Sequence, residues 1–286
     1  MGTVSELLSG IKRKAFIQAQ GTVYSDSDIV SFADNELKFV IVPKILSVRE
    51  NYFNCFKDYS ISAGQNRYRL PPRIAGGRIQ RVVITNGSET YELKYSAYEL
   101  NHAQAYYIDN TEIVLLGDTK AEGTMRVYYP CRPATLDSTS PTTYLVTGVT
   151  STGATSTGTP NGNYEIIRQN SPYTTISPNI TVTSNAIADN DMINPVEYLG
   201  RFEVGDILIP RNTTTYVALP VELCDWLEQR TIMRIQEYLG HQQELEISAA
   251  KLRDMERDML ALISPRVEQS EKILTDKETL GWSTWR

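Results

Sequence analysis

The sequence predicts an α+β protein: N- and C-terminal helices forming a helical body, a central antiparallel β-sheet or sandwich, and a Ser/Thr-rich β insertion. Three observations predict it. Apolar residues recur at a period near 3.6 at both ends of the chain. Between the ends stand β-branched and aromatic runs separated by Asn-Gly and Asp-Asn pairs. After those runs comes a long stretch rich in serine and threonine and almost without charge.

Residues 1–53 read as helices. Thr3, followed three residues later by Glu6, is a capping-box pattern, and Val4, Leu7, Leu8 and Ile11 fall on one side behind it. The basic triplet Lys12-Arg13-Lys14 suits the negative end of a helix dipole. Ser25-Asp26-Ser27-Asp28 is a second start signal, and the helical period runs from Ile29 to Tyr52 across Pro43. A proline inside a helix removes a hydrogen bond and clashes with the preceding turn, so a kink or break is expected there.

Residues 54–135 read as an antiparallel β meander. Asn86-Gly87 between two apolar runs signals a hairpin, Asp109-Asn110 repeats the arrangement, and a strand at 124–129 runs into Pro130. Residues 136–219 read as the Ser/Thr-rich insertion: between Ser138 and Pro160, 13 of 23 residues are Ser or Thr. β-branched threonines and the pairs Leu145-Val146 and Ile166-Ile167 favour loosely joined strands over a disordered linker. Segments 202–209 and 213–218 read as its last strands.

Pro220 opens a helical hairpin over 220–263. Its first helix carries Leu223, Leu227, Ile235 and Leu239 and stops at Gly240. Its second carries Leu245, Ala249, Leu252, Met255, Met259 and Leu262 at seam spacing. Residues 264–286 read as a polar C-terminal docking tail that holds Trp282 and Trp285.

Composition narrows the function. The 286 residues carry 28 Lys+Arg against 34 Asp+Glu, a net charge of −6, which excludes binding of nucleic acid by bulk positive charge. There are 2 histidines and 3 cysteines, and Cys55, Cys131 and Cys224 lie far apart without a CxxC, so the thiols read as buried in a reducing cytosol. No secretory signal and no apolar run of spanning length is read. Tyrosine outnumbers phenylalanine 17 to 6, which points to half-exposed aromatic surfaces.

The search for chemistry returns no catalytic, cofactor or metal site. Residues 153–158 have the glycine spacing of a phosphate loop, but Thr159-Pro160 stand where Lys and Ser/Thr belong. His102 and His241 read as loop or cap residues. Asp254 with Asp258 reads as a solvated helix face, and Asp26 with Asp28 as a cap. Two features stand out. Arg67, Arg69, Arg73, Arg78 and Arg81 cluster in a region of balanced charge (15 basic and 14 acidic side chains over residues 1–129). They are candidate contacts to a partner or to DNA in a channel, or else a solvated strand face. The two terminal tryptophans need a pocket, on this chain or on a partner.

The order of parts resembles a known family. LLSGIKRKA at 7–15, YSDSDIVSFADNEL at 24–37, VPKILSVRENYF at 42–53, YRLPPRIAGGRI at 68–79 and LALISPRVE at 260–268 carry the resemblance. Together they are similar to tailed-bacteriophage head–tail adaptor (connector) proteins. The likeness spans both ends and the first sheet and is weakest in 136–219. It implies a structural virion protein and not an enzyme. Such adaptors form a ring, commonly of twelve copies, under the portal. They extend the DNA channel and join the capsid to the tail. The resemblance implies helices in the ring body and a portal-docking arm with Arg266, Val267, Ile273, Leu274, Leu280, Trp282, Trp285 and Arg286. The implied partners are other copies of the chain, the portal protein and downstream tail or neck proteins, with transient non-specific contact to genomic DNA and none to membrane. The implied location is the virion neck or tail, after assembly in the host cytoplasm. Two alternatives are a carbohydrate- or receptor-binding tail module, favoured by polar β-loops and tyrosines, and a hydrolase with a carboxylate pair.

Overall fold

Thr3 caps the first helix, α1 (Val4–Lys14), with a complete capping box: its hydroxyl accepts from the Glu6 amide and the Glu6 carboxylate accepts from the Thr3 amide, both at 3.3 Å. In the structure, a computed structural model, residues 2–15, 24–62, 64–97, 104–116, 123–139, 143–170, 172–194 and 198–264 are described. Ser25 and Asp28 form the same box at the start of α2 (Asp26–Glu36). The chain then runs through a π-helical turn, Leu37–Ile41, into α3 (Val42–Val48). The expected break at Pro43 is absent. The wider turn, in which Val42 N–H bonds Leu37 O, lets the helix pass a residue that has no amide hydrogen.

The C-terminal hairpin consists of α5 (Val221–Leu239) and α6 (Gln242–Ile263), the last elements among the described residues. Pro220 stands at the N-cap, one residue before the helix, and Gly240 closes α5 at φ +72°. Ile11, Ile29, Leu37, Ile41, Trp226 and Leu252, drawn from five of these segments, share one buried core. Burying such side chains fully contributes about 1.5–3 kcal/mol each. α1 approaches α5 at Gly10, where a Cβ would overlap the carboxylate of the fully buried Glu228; Lys14 neutralises that carboxylate. The α6 seam differs from expectation at its end. Leu262 is exposed and Ile263 takes the buried place, because a straight helix drifts from a strict heptad.

The first sheet contains β1 (Asn54–Ile61), β2 (Arg67–Arg69), β3 (Arg81–Asn86), β4 (Glu89–Tyr95), β5 (Ala105–Asp109), β6 (Glu112–Leu116) and β7 (Gly123–Pro130). Both expected hairpins form. β3 and β4 turn through Gly87 at φ +58°, and β5 and β6 turn through Asn110 at φ +52°. The expected antiparallel meander is corrected. The order is β1-β7-β3-β4-β5-β6-β2, with β7 inserted between β1 and β3 and with β4 and β5 parallel. Nine residues separate β4 from β5 in sequence, more than the two-residue loop of a tight hairpin, so nothing local fixes them antiparallel. β1 and β7 pair over eight residues each, a long-range match with no local signal. The sheet curves until its outer strands approach, and Tyr59 OH on β1 donates to Arg69 O on β2 at 2.6 Å. Val82, Ile84, Leu93, Ile113, Met125 and Val127 fill its interior.

The insertion is a second sheet. β8 (Thr135–Leu136) and β16 (Thr213–Thr214) pair in parallel, so the chain enters and leaves it side by side. Between them lie β9 (Tyr144–Leu145), β10 (Gly148–Thr150), β11 (Gly153–Thr155), β12 (Gly162–Ile167), β13 (Thr175–Thr183), β14 (Ala186–Asp189), the short helix α4 (Tyr198–Arg201) and β15 (Ile207–Pro210). The order is β10-β11-β14-β13-β12-β15-β9, so strands adjacent in sequence, β9 and β10, end the sheet on opposite edges and bend it round. Phe202, expected in a strand, instead ends the α4 turn and packs in the core with Ile166, Ile180 and Leu208. The strand after it starts only at Ile207, because Gly205 at φ +100° makes a turn. The strand expected over 213–218 is limited to Thr213–Thr214.

Candidate interaction surfaces

The five clustered arginines separate in space. Arg67 and Arg69 flank buried Tyr68 on one exposed face of β2, as the period of two requires. Arg67 is held by Asp109 at 2.8 Å and Glu112 at 3.0 Å across the sheet. Arg78 pairs with Glu50. Arg73 is half-buried at φ +62°, donates twice to Arg132 O at 2.9 and 2.7 Å, and pairs with the buried Glu165 of the second sheet. Arg81 lies over the Tyr128 ring at 4.4 Å. Arg67, Arg73 and Arg78 are therefore committed to this chain's own acids. Arg69 and Arg81 are exposed and form no ion pair among the described residues.

Sequence reasoning missed the seam between the two sheets. Asp58 on β1 stands opposite Arg126 on β7, and the two pair through two bonds at 2.7 and 2.9 Å. Arg126 and Arg201 both lie against the Phe56 ring, at 4.1 and 3.7 Å from its centre. Arg201 pairs with buried Asp189 at 3.1 Å, Lys57 with buried Asp191 at 3.5 Å, and the Asp58 amide donates to Asp191 O at 2.8 Å. Burial pushes the Asp189 carboxyl above its usual range, against the pull of Arg201. Lys57-Asp58 in β1 and Arg126 in β7 were the available signal, but it is legible only once the two strands are known to pair.

A concave polar face of about 460 Å³ opens on the outside of β3, β4 and β7, lined by Arg81, Thr85, Thr90, Glu92, Thr124 and Tyr128 among others. Its charges balance, and it offers hydroxyl groups as both donors and acceptors. On the helices, a smaller groove of about 310 Å³ is lined by Phe32, Glu36, Phe39, Val40, Arg234 and Tyr238. Phe39, on the π turn, is 66% exposed and Tyr238 is 57% exposed; Tyr238 stacks on Phe32 at 5.2 Å. Ile247 and Leu262 on α6 are exposed as well. The contiguous part of this exposed apolar surface, at Phe39 and Tyr238, is the candidate for an interaction surface on the helices.

His241 begins α6 with Nδ1 at 3.1 Å from Glu244, and Asp254 and Asp258 sit beside exposed Arg257. His102 and the tail residues Arg266, Val267, Ile273, Leu274, Leu280, Trp282, Trp285 and Arg286 lie outside the described residues. Among the described residues no group of three or more His, Cys, Asp or Glu side chains is placed to hold a metal ion, and no helix is long and apolar enough to cross a membrane. Cys55, Cys131 and Cys224 are free and buried, as expected. Cys55 and Cys131, far apart in sequence, meet in one buried cluster with Tyr129 and Ile74.

No protein-family model matches the sequence, and no curated protein matches it as a relative.

Proposed function

We propose that the chain is a structural head–tail adaptor of a tailed bacteriophage. In this reading copies of it form a ring under the portal, extend the DNA channel and join the capsid to the tail. The helices are the ring body. The segment from Arg266 to Arg286 docks on the portal, with Trp282 and Trp285 as anchors. Downstream tail or neck proteins meet the second sheet, and DNA passes with only transient contact, at exposed arginines such as Arg69 and Arg81. The ring stands in the virion neck after assembly in the host cytoplasm.

The observation that carries this reading is the exposed aromatic groove at Phe39 and Tyr238, whose lining residues Phe32 and Glu36 belong to the segment 24–37 that resembles adaptors. Aromatic side chains flanked by Arg234 and Glu36 have the make-up of an interface centre. Exchanging both (Phe39→Asp with Tyr238→Asp) is expected to keep the helix content and abolish ring formation on the portal. Circular dichroism reads the first and negative-stain microscopy the second. Rings of unchanged number and size from a folded double variant would count against the reading. The carbohydrate-binding alternative is favoured by the polar face between Arg81 and Thr124, and glycan-array binding by the full chain would support it over the adaptor reading.

A further inference from the structure

The groove at Phe39 and Tyr238 is walled by aromatic rings. Phe32 and Tyr238 lie within 20° of parallel at 5.2 Å, and Phe39 lines the same groove. Its rim carries hydrogen-bond acceptors: Asn35 is exposed, and Glu36 meets Arg230 through one carboxylate oxygen at 2.6 Å. Arg234 is held by Glu237 at 2.7 Å, so the charges at the rim are balanced and do not call for an ionic ligand. Rings in the wall and acceptors at the edge suit an aromatic side chain that donates a hydrogen bond, and indole is such a group. The chain has three tryptophans, and Trp226 is wholly buried in the helical core. The other two, Trp282 and Trp285, stand in a stretch, 265–286, whose four basic and four acidic side chains also balance. That stretch starts within reach of the groove. The Ser248 hydroxyl donates to Gln236 Oε1 at 2.6 Å, which sets α6 against α5 with Tyr238 beside the start of α6. Ser264 therefore lies about 25 Å down the hairpin from Tyr238, at a rise of about 1.5 Å per residue. Eighteen residues lead from Ser264 to Trp282, and an extended chain of that length spans up to about 60 Å. A segment tethered this closely meets the groove at a higher effective concentration than a separate molecule does.

We propose that in the free chain Trp282 and Trp285 occupy this groove on their own molecule, covering Phe39 and Tyr238 and keeping copies of the chain apart. The contact itself does not depend on the adaptor reading. What uncovers the groove does rest on it: when the portal takes up the tail, Phe39 and Tyr238 open for the next copy. Copies then associate on the portal and not before they reach it.

The test uses the purified full chain without portal, so its outcome is separate from that of the adaptor reading. Acrylamide quenching of tryptophan fluorescence reads the tail. Trp282→Ala with Trp285→Ala leaves Trp226 alone and supplies the buried background. The tail signal of the wild type is expected to be protected, equally so on dilution, and Phe39→Asp with Tyr238→Asp to raise its quenching constant several-fold. The chain with Trp282→Ala and Trp285→Ala is expected to self-associate on size-exclusion chromatography with light scattering, and the two groove exchanges added to it to restore the monomer. Tail tryptophans of the wild type as open to acrylamide as free tryptophan would overturn the proposal without any variant. Protection that disappears on dilution would overturn it by placing a second copy's tail in the groove. Equal quenching with and without the groove exchanges would overturn it by placing the tail elsewhere. A chain with Trp282→Ala and Trp285→Ala that stays monomeric would show that the tail does not keep copies apart.

Discussion

Arg73→Ala is expected to lower the unfolding free energy by about 3–5 kcal/mol at pH 8, the usual cost of breaking a buried ion pair from one side. Two groups depend on this guanidinium: Arg132 O, which accepts two of its hydrogen bonds, and the carboxylate of Glu165, which is wholly buried in the second sheet. The cost should shrink at pH 5, because Glu165 can take up a proton and leave only the lost hydrogen bonds and the cavity. Glu165→Ala should behave differently. It removes the titrating group together with its pH-dependent contribution, so its cost should be larger at pH 5 than at pH 8, by on the order of 3 kcal/mol. Replacing the pair together (Arg73→Met with Glu165→Leu) should recover most of the stability, since apolar groups of similar volume often substitute for a buried pair. Urea unfolding midpoints at the two pH values read all of these. A pH-independent cost for Arg73→Ala would show that the ion pair is not the cause.

The second large effect is a pH dependence carried by Glu165. Burial pushes its carboxyl from the ordinary 4.5 up to about 7, against the attraction of Arg73, Arg211 and Lys38. The unfolded chain releases this proton near 4.5 and the folded chain near 7, so the folded state binds more protons between those values. Unfolding free energy therefore falls as pH rises from about 4.5 to about 7, and this group adds no slope outside that window. The full change is on the order of 3 kcal/mol. Glu165→Gln is expected to flatten this part of the profile. Equal slopes for wild type and Glu165→Gln between pH 5 and 7 would contradict the assignment.

Features set by neighbours in sequence were legible. Thr3 with Glu6 and Ser25 with Asp28 form the capping boxes their spacing specifies, and Gly240 ends α5 in the left-handed conformation its position suggests. The hairpins at Gly87 and Asn110 form for the same reason: a turn is decided by four residues. Features set by distant pairing were not legible. The insertion of β7 beside β1 rests on eight matched positions more than sixty residues apart, and it alone brings Asp58 to Arg126 and Cys55 to Cys131. Arg73 read as a surface cation because nothing near it in sequence shows that Glu165 waits on another sheet. Arg67 and Arg69 did fall on one face, since strand alternation is local, but the acids that hold Arg67 come from the β5–β6 hairpin. Phe39 at the π turn was also hidden. Pro43 announces a disturbance in the helix but not how the helix absorbs it.

The central claim is that copies of this chain close into a ring on a portal. Electron cryo-microscopy of the purified full-length chain mixed with the portal protein of the same genome tests it most directly. The expected image is a ring of this fold on one end of the portal, helices innermost at the contacts between copies, with Phe39 and Tyr238 covered and density for residues 266–286 on the portal. Portal particles that stay bare in the presence of excess folded chain would contradict it.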